Sequence, residues 1–164
     1  MYVPSEVFFV SGVGRHTAGV ASFECALRDA GVEPYNFVSV SSILPPDADF
    51  VEPHEGTERL SPGQVVHAVL GRDTVTEGEA TAAVGVARAD EGHGYFVERS
   101  GVSDAADSAE TLAREMVESS DATGEVDDSF SVEATATAER EDEHTTAVAA
   151  AVFLPPEGIT VASS

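Results

Sequence analysis

The chain has 164 residues, with 30 acidic side chains against eight basic ones and a formal charge of −22. That length fits one domain, burying about 70% of its unfolded surface, and the charge excludes a nucleic-acid partner, because phosphate binding needs a basic patch. All eight basic residues are arginine, which excludes a pyridoxal-phosphate enzyme and a P-loop, both of which need a lysine.

Residues 7–13 read as a buried strand, followed by a glycine turn at Gly12-Val13-Gly14. A dinucleotide loop would need a third glycine where Thr17 stands, so a tight turn is expected there. Between about 17 and 30, Val20, Phe23, Leu27 and Ala30 recur at three- and four-residue steps, the mark of one helical face. Gly31 ends that helix. Residues 36–43 read as a second strand carrying Ser41-Ser42, stopped by Pro45-Pro46. A loop is expected over 47–63, then strands near 64–70, 79–89 and 94–99, separated by a turn from Gly71 to Gly78 and by Asp90-Glu91-Gly92. A second helix is predicted from about 104 to 119, with an apolar stripe through Ala105, Ala109, Leu112, Ala113, Met116 and Val117 and Ser103 as its cap. After an acidic loop over 120–128, Phe130, Val132, Ala134, Ala136 and Ala138 alternate with polar residues, which predicts a strand with one wet face. Beyond the charged turn Glu139–His144, Thr145–Leu154 is apolar at nearly every position and should be a more buried strand. Many strands and two helices able to cover sheet faces indicate an α+β sandwich in a single domain over 1–164.

The chemistry is expected at Ser41-Ser42. A serine hydroxyl forced against the preceding carbonyl can convert that amide to an ester, which then breaks by β-elimination; the residue left at the new N-terminus loses its amine by hydrolysis and becomes a pyruvoyl group. Such a step needs a fixed hydroxyl and a strained backbone held by its surroundings, and the β-branched residues before the pair and prolines after it supply stiffness. A bare Ser-Ser more often marks a turn. The longer string, Asn36-x4-Ser41-Ser42-Ile43-Leu44-Pro45-Pro46, resembles the self-cleavage site of the pyruvoyl-dependent arginine decarboxylases. Phe23-Glu24-x-Ala26-Leu27-x-x-Ala30-Gly31 is similar to that family's first helix, and His93-Gly94-Tyr95-Phe96-Val97-Glu98 to its catalytic-glutamate strand. With the helix Glu110–Met116, the resemblance spans roughly residues 6–155.

The resemblance implies a layered αββα sandwich with mainly antiparallel sheets, self-cleaved into a β chain of 1–41 and an α chain of 42–164 and assembled as a trimer with active sites between subunits. It implies a covalent pyruvoyl cofactor derived from Ser42, joined to the substrate amine as a Schiff base, and decarboxylation of L-arginine to agmatine. It places Ser42, Glu98 and Asn36 in catalysis, and Glu24, Asn36 and Ser41 against the substrate. Glu98 would donate a proton to the substrate α-carbon, its pKa raised by apolar neighbours Tyr95, Phe96 and Val97; the alternative is an exposed strand-end glutamate paired with Arg99. Asn36 would position the scissile carbonyl or the substrate carboxylate, or else simply turn the chain. Glu24 stands where the family has an aspartate, so it either pairs with a guanidinium or is an ordinary helix glutamate. The rivals are the same machinery acting on another amino acid, and a non-catalytic acidic sandwich or binding module.

The five histidines show no ligand spacing, so no metal site is expected. Cys25 is alone, which rules out an intrachain disulfide framework and fits a reducing interior; it reads as a small core residue more than as a nucleophile. No basic n-region opens the chain and no apolar run reaches the roughly 18 residues of a membrane span, so a soluble cytoplasmic protein is expected. Acidic excess without lysine suggests a salt-loaded cytoplasm. At molar salt screening falls to about 3 Å, so substrate recognition must come from contact.

Overall fold

Strand-forming alternation dominates the described residues, 2–157 of this computed structural model; residue 1 and residues 158–164 of the expected single domain lie outside them. In chain order the elements are β1 Glu6–His16, α1 Gly19–Asp29, β2 Asn36–Ser39, β3 Ile43–Leu44, β4 Asp49–Phe50, α2 Pro53–Thr57, β5 Val65–Val75, β6 Glu79–Ala89, β7 Gly94–Ser100, α3 Ala105–Glu118, β8 Val126–Thr137 and β9 His144–Leu154. They form a five-stranded sheet in the order β2-β5-β9-β1-β4 and a four-stranded sheet in the order β3-β7-β6-β8. Only β1–β4 and β2–β5 pair in parallel. The fold class is therefore α+β with two mostly antiparallel sheets, as the element pattern predicts.

The two sheets pack face to face. Alternation along β9 sends Ala147, Ala149, Ala151 and Phe153 between the sheets, and Val148, Ala150, Val152 and Leu154 to the outer face. This strand is central and buried on both sides, which is why it reads as a continuous apolar run. Edge-to-face contacts of Phe9 with Phe50 at 5.1 Å and with Phe130 at 4.8 Å join β1, β4 and β8 inside the sandwich. Aromatic pairs of this geometry add about 0.5–1.5 kcal/mol beyond area burial. Helix α1 covers the outer face of the first sheet through Ala26 and Leu27. Helix α3 covers the second through Ala105, Ala109, Ala113 and Val117.

Several local expectations are corrected. Gly12-Val13-Gly14 is not a turn but the interior of β1. The glycines are needed because α1 lies directly on the strand: a Cβ on Gly12 would sit 2.6 Å from the Ala30 amide nitrogen. The expected turn from Gly71 is strand as far as Val75, since the ladder to β9 continues through Val75↔Thr145. The 47–63 loop contains β4 and α2, and β8 begins inside the expected acidic loop. The N-cap of α3 is Asp104, not Ser103, and it makes no side-chain capping bond. The most consequential difference is that the expected strand 36–43 breaks in two, β2 in one sheet and β3 in the other.

Candidate active site

The break in that strand falls on the serine pair. Val40 N–H donates to the Ala68 carbonyl at 3.0 Å, so the first sheet holds the chain up to residue 40. The Ser42 carbonyl accepts from Phe96 N–H at 2.7 Å and Ile43 pairs with Tyr95, so the second sheet holds it from residue 42 onward. The 41–42 peptide is the span between two clamps. Ser41 is exposed and Ser42 half-buried. The constraint expected here takes the form of tethering between sheets, not of left-handed backbone, because among the described residues no non-glycine has a positive φ.

Glu98 lies on the strand that grips Ser42. Gly94, Phe96 and Glu98 share one face of β7 by its two-residue period; Phe96 is fully buried between the sheets and Glu98 emerges at their margin. Opposite it on β5 is Gly71, where a Cβ would come within 3.6 Å of the Glu98 Cβ. Glu98 is exposed in the single chain, not buried as its apolar neighbours suggested, because Tyr95 and Val97 point the other way, toward α3. Enough protein nevertheless surrounds the carboxyl for desolvation to raise its pKa above the ordinary glutamate value. The alternative pairing with Arg99 is not found either. The ion pairs among the described residues are Arg15–Glu139, Arg28–Glu33 and Arg59–Glu6.

Glu24 and Asn36 meet elsewhere. Both line a groove of about 400 Å³ between α1 and the β2 edge, together with Phe23, Leu27 and Arg72. The Asn36 amide is fixed by donation from Nδ2 to the Gly63 carbonyl at 2.8 Å. Glu24 stands on the exposed side of α1, and the Arg72 guanidinium lies 4.6 Å from the centre of the Phe23 ring. Ser41 instead lines a second cavity of about 330 Å³ with Val40, Ile43, Tyr2, His67 and Phe153. Within one chain the expected site residues therefore form two groups: Ser41 and Ser42 with the Glu98 strand, and Glu24 with Asn36.

Sequence reasoning passed over Arg72, His67 and Tyr2. Alternation along β5 could have placed His67 on the same face as Val69 and Gly71, but what lies across that face depends on the β2–β3 crossover, which no local pattern announces. Among the described residues no three His, Cys, Asp or Glu side chains come together as a metal site, and Cys25 is a half-buried free thiol. No helix among them is long and apolar enough to cross a membrane.

Comparison with known proteins adds an independent line. The family model described as Pyruvoyl-dependent arginine decarboxylase matches residues 6–158. The chain is 45% identical over 158 residues to "Pyruvoyl-dependent arginine decarboxylase 2" of Archaeoglobus fulgidus, covering 93% of this chain and 98% of that protein. It is 38% identical to "Pyruvoyl-dependent arginine decarboxylase 1" of Methanosarcina acetivorans, over 93% of this chain and 96% of the relative. Against the Thermoplasma volcanium protein of the same description it is 44% identical, over 72% of this chain and 69% of the relative.

Proposed function

We propose, because this chain belongs to the pyruvoyl-dependent arginine decarboxylase family, that Ser42 is the serine it converts to its cofactor by cutting its own backbone after Ser41. The products would be a β chain of residues 1–41 and an α chain of residues 42–164. The enzyme is a decarboxylase, releasing CO2 from L-arginine to give agmatine, and its cofactor is a covalent pyruvoyl group. The observation that carries the assignment to Ser42 is the 2.7 Å bond from Phe96 N–H to the Ser42 carbonyl, which ties the serine to the strand bearing Glu98.

The surroundings of Ser42 fit the group. Its hydroxyl precedes a clamped carbonyl, the residue is half-buried, and the peptide before it is exposed. A pyruvoyl group formed at Ser42 would supply an electron-poor carbonyl for the substrate amine and a sink for the electrons left by CO2. Glu98 holds its proton to higher pH than an ordinary carboxyl because it is partly desolvated, which suits a donor to the substrate α-carbon. Glu24 would take the guanidinium as a charge-assisted pair, Asn36 would fix the amino-acid end or the scissile carbonyl, and Ser41 would contact substrate beside the cut.

We infer further that copies assemble, as trimers, so that the Glu24–Asn36 groove of one meets the Ser42 region of another. The separation of these groups within a chain supports this, as do the exposed apolar side chains Val38, Val40, Ile43 and Val65 around the β2 and β3 edges. A cytoplasmic location and adaptation to concentrated salt belong to the same reading; the lone Cys25 and the charge of −22 support them.

Intact mass after denaturation tests the proposal. Two fragments ending at residue 41 and beginning at residue 42, the larger reactive toward hydrazine, are expected from the wild-type chain, and one uncut 17.0 kDa species from Ser42→Ala. A wild-type chain that stays whole, or a Ser42→Ala chain that still cuts, overturns it. Because Arg72 shares the groove with Glu24, substrate choice needs its own test. CO2 release from arginine, lysine, ornithine, histidine and aspartate is expected to favour arginine; preference for another would replace the substrate and leave the chemistry in place.

A further inference from the structure

We propose that His67 is the proton shuttle of self-cleavage, acting from the cavity behind the scissile segment while Tyr2 orients its ring; this rests on the assignment of Ser42 above. The 330 Å³ cavity is roofed by the crossover between β2 and β3, with Val40, Ser41 and Ile43 in its wall. His67 reaches it from β5 and Phe153 from β9. Of the side chains lining the cavity, those that titrate are His67 and Tyr2; the N-terminal segment otherwise contributes a proline, and the crossover contributes Ser41 and apolar groups. No carboxylate lines it, and Glu98 does not border it.

The ring is held in place through its Nδ1 edge. Tyr2 Oη lies 3.0 Å from His67 Nδ1, and the two rings meet at 5.7 Å between centroids, tilted by 57°. Burial raises the Tyr2 pKa, so its hydroxyl stays a neutral partner. In the tautomer that donates Nδ1–H to Tyr2 Oη, Nε2 carries a bare lone pair and can accept a proton.

The step balances without a co-reactant. Ser42 Oγ bonds to the Ser41 carbonyl carbon, and its proton passes to His67 Nε2, directly or through one water. The bond from that carbon to the nitrogen of residue 42 then breaks, and His67 returns the proton to the departing nitrogen. An amide becomes an ester with a free amine, and the imidazole ends as it began. The two clamps hold the chain on either side of Ser41, which lines the cavity, while this happens.

The test follows maturation of the full chain in cell-free translation at fixed salt, read by timed denaturing electrophoresis and intact mass. We expect His67→Gln to slow cutting on the order of 10²-fold, in the range of general acid–base effects, and Tyr2→Phe to slow it less. Imidazole added to His67→Ala should restore cutting. Wild-type rates in His67→Gln overturn the proposal, and so does a His67→Ala chain with a native circular dichroism spectrum that is slow with and without imidazole. If His67→Ala does not fold, the cutting rate of His67→Gln relative to wild type decides. A wild-type chain that never cuts removes the Ser42 assignment instead, which separates the two failures.

Discussion

Glu98 shows how one side chain can be open to solvent and still unlike a free carboxylate. Desolvation raises its folded pKa above the unfolded value, so between the two values the folded state binds more protons and stability falls as pH rises. The carboxylate is therefore a cost carried above the ordinary glutamate range, near pH 4.3. Glu98→Gln removes that cost: thermal unfolding should show the variant equal to wild type near pH 3.5 and slightly more stable at pH 7 to 8. The same variant should cut normally yet lose roughly 10²–10⁴-fold in decarboxylation, the range for removing a general acid. Normal turnover by the cut variant would take Glu98 out of the mechanism. A stabilised but inactive protein is the pattern expected of a group kept for chemistry.

At the scale of elements, the contact between β1 and α1 fixes the wall on which the Glu24 groove is built. Gly14 faces the Ser22 carbonyl and the Ala26 amide so closely that an added Cβ would also lie 2.7 Å from the Cys25 carbonyl carbon. These are backbone atoms within a helix and cannot yield singly. Gly14→Ala should cost about 1–3 kcal/mol, as overpacking of a close-packed core does, measured by urea unfolding of the Ser42→Ala chain so that cutting does not intervene. From the sequence these glycines read as a turn because punctuation is what glycine most often means locally, whereas their reason here is a neighbour brought in by tertiary packing. The period-two run from Phe130 and the apolar run from Thr145 were legible for the opposite reason: burial on one face or two writes itself directly into composition. The family was legible through the strings Asn36–Pro46 and His93–Glu98, and the family match over residues 6–158 bears that resemblance out. That the 36–43 strand changes sheets at the serines was not legible, since Val38, Val40 and Ile43 continue the same β-type pattern across the break.

At the scale of the whole molecule, the two groups of site residues make a definite demand on assembly. If the groove of one copy completes the Ser42 region of the next, an inactive Asn36→Ala protein mixed under assembly conditions with an inactive Glu98→Gln protein should recover activity, because some junctions then combine two intact halves. Absence of recovery in mixed oligomers verified by native mass spectrometry would place the complete site within one chain. The crossover carries a further consequence. A cut after residue 41 would leave β1 and β2 on the shorter piece, and β1 lies between β9 and β4, paired with β9 from Glu6↔Leu154 to His16↔His144. Such fragments would stay interlaced as a single sheet, but unfolding would become a dissociation whose midpoint depends on concentration. The hydroxyl that makes the cofactor would then be spent. A copy that opened after such a cut could regain its shape only by finding a partner fragment, which would make the uncut chain the form in which correct folding has to be reached.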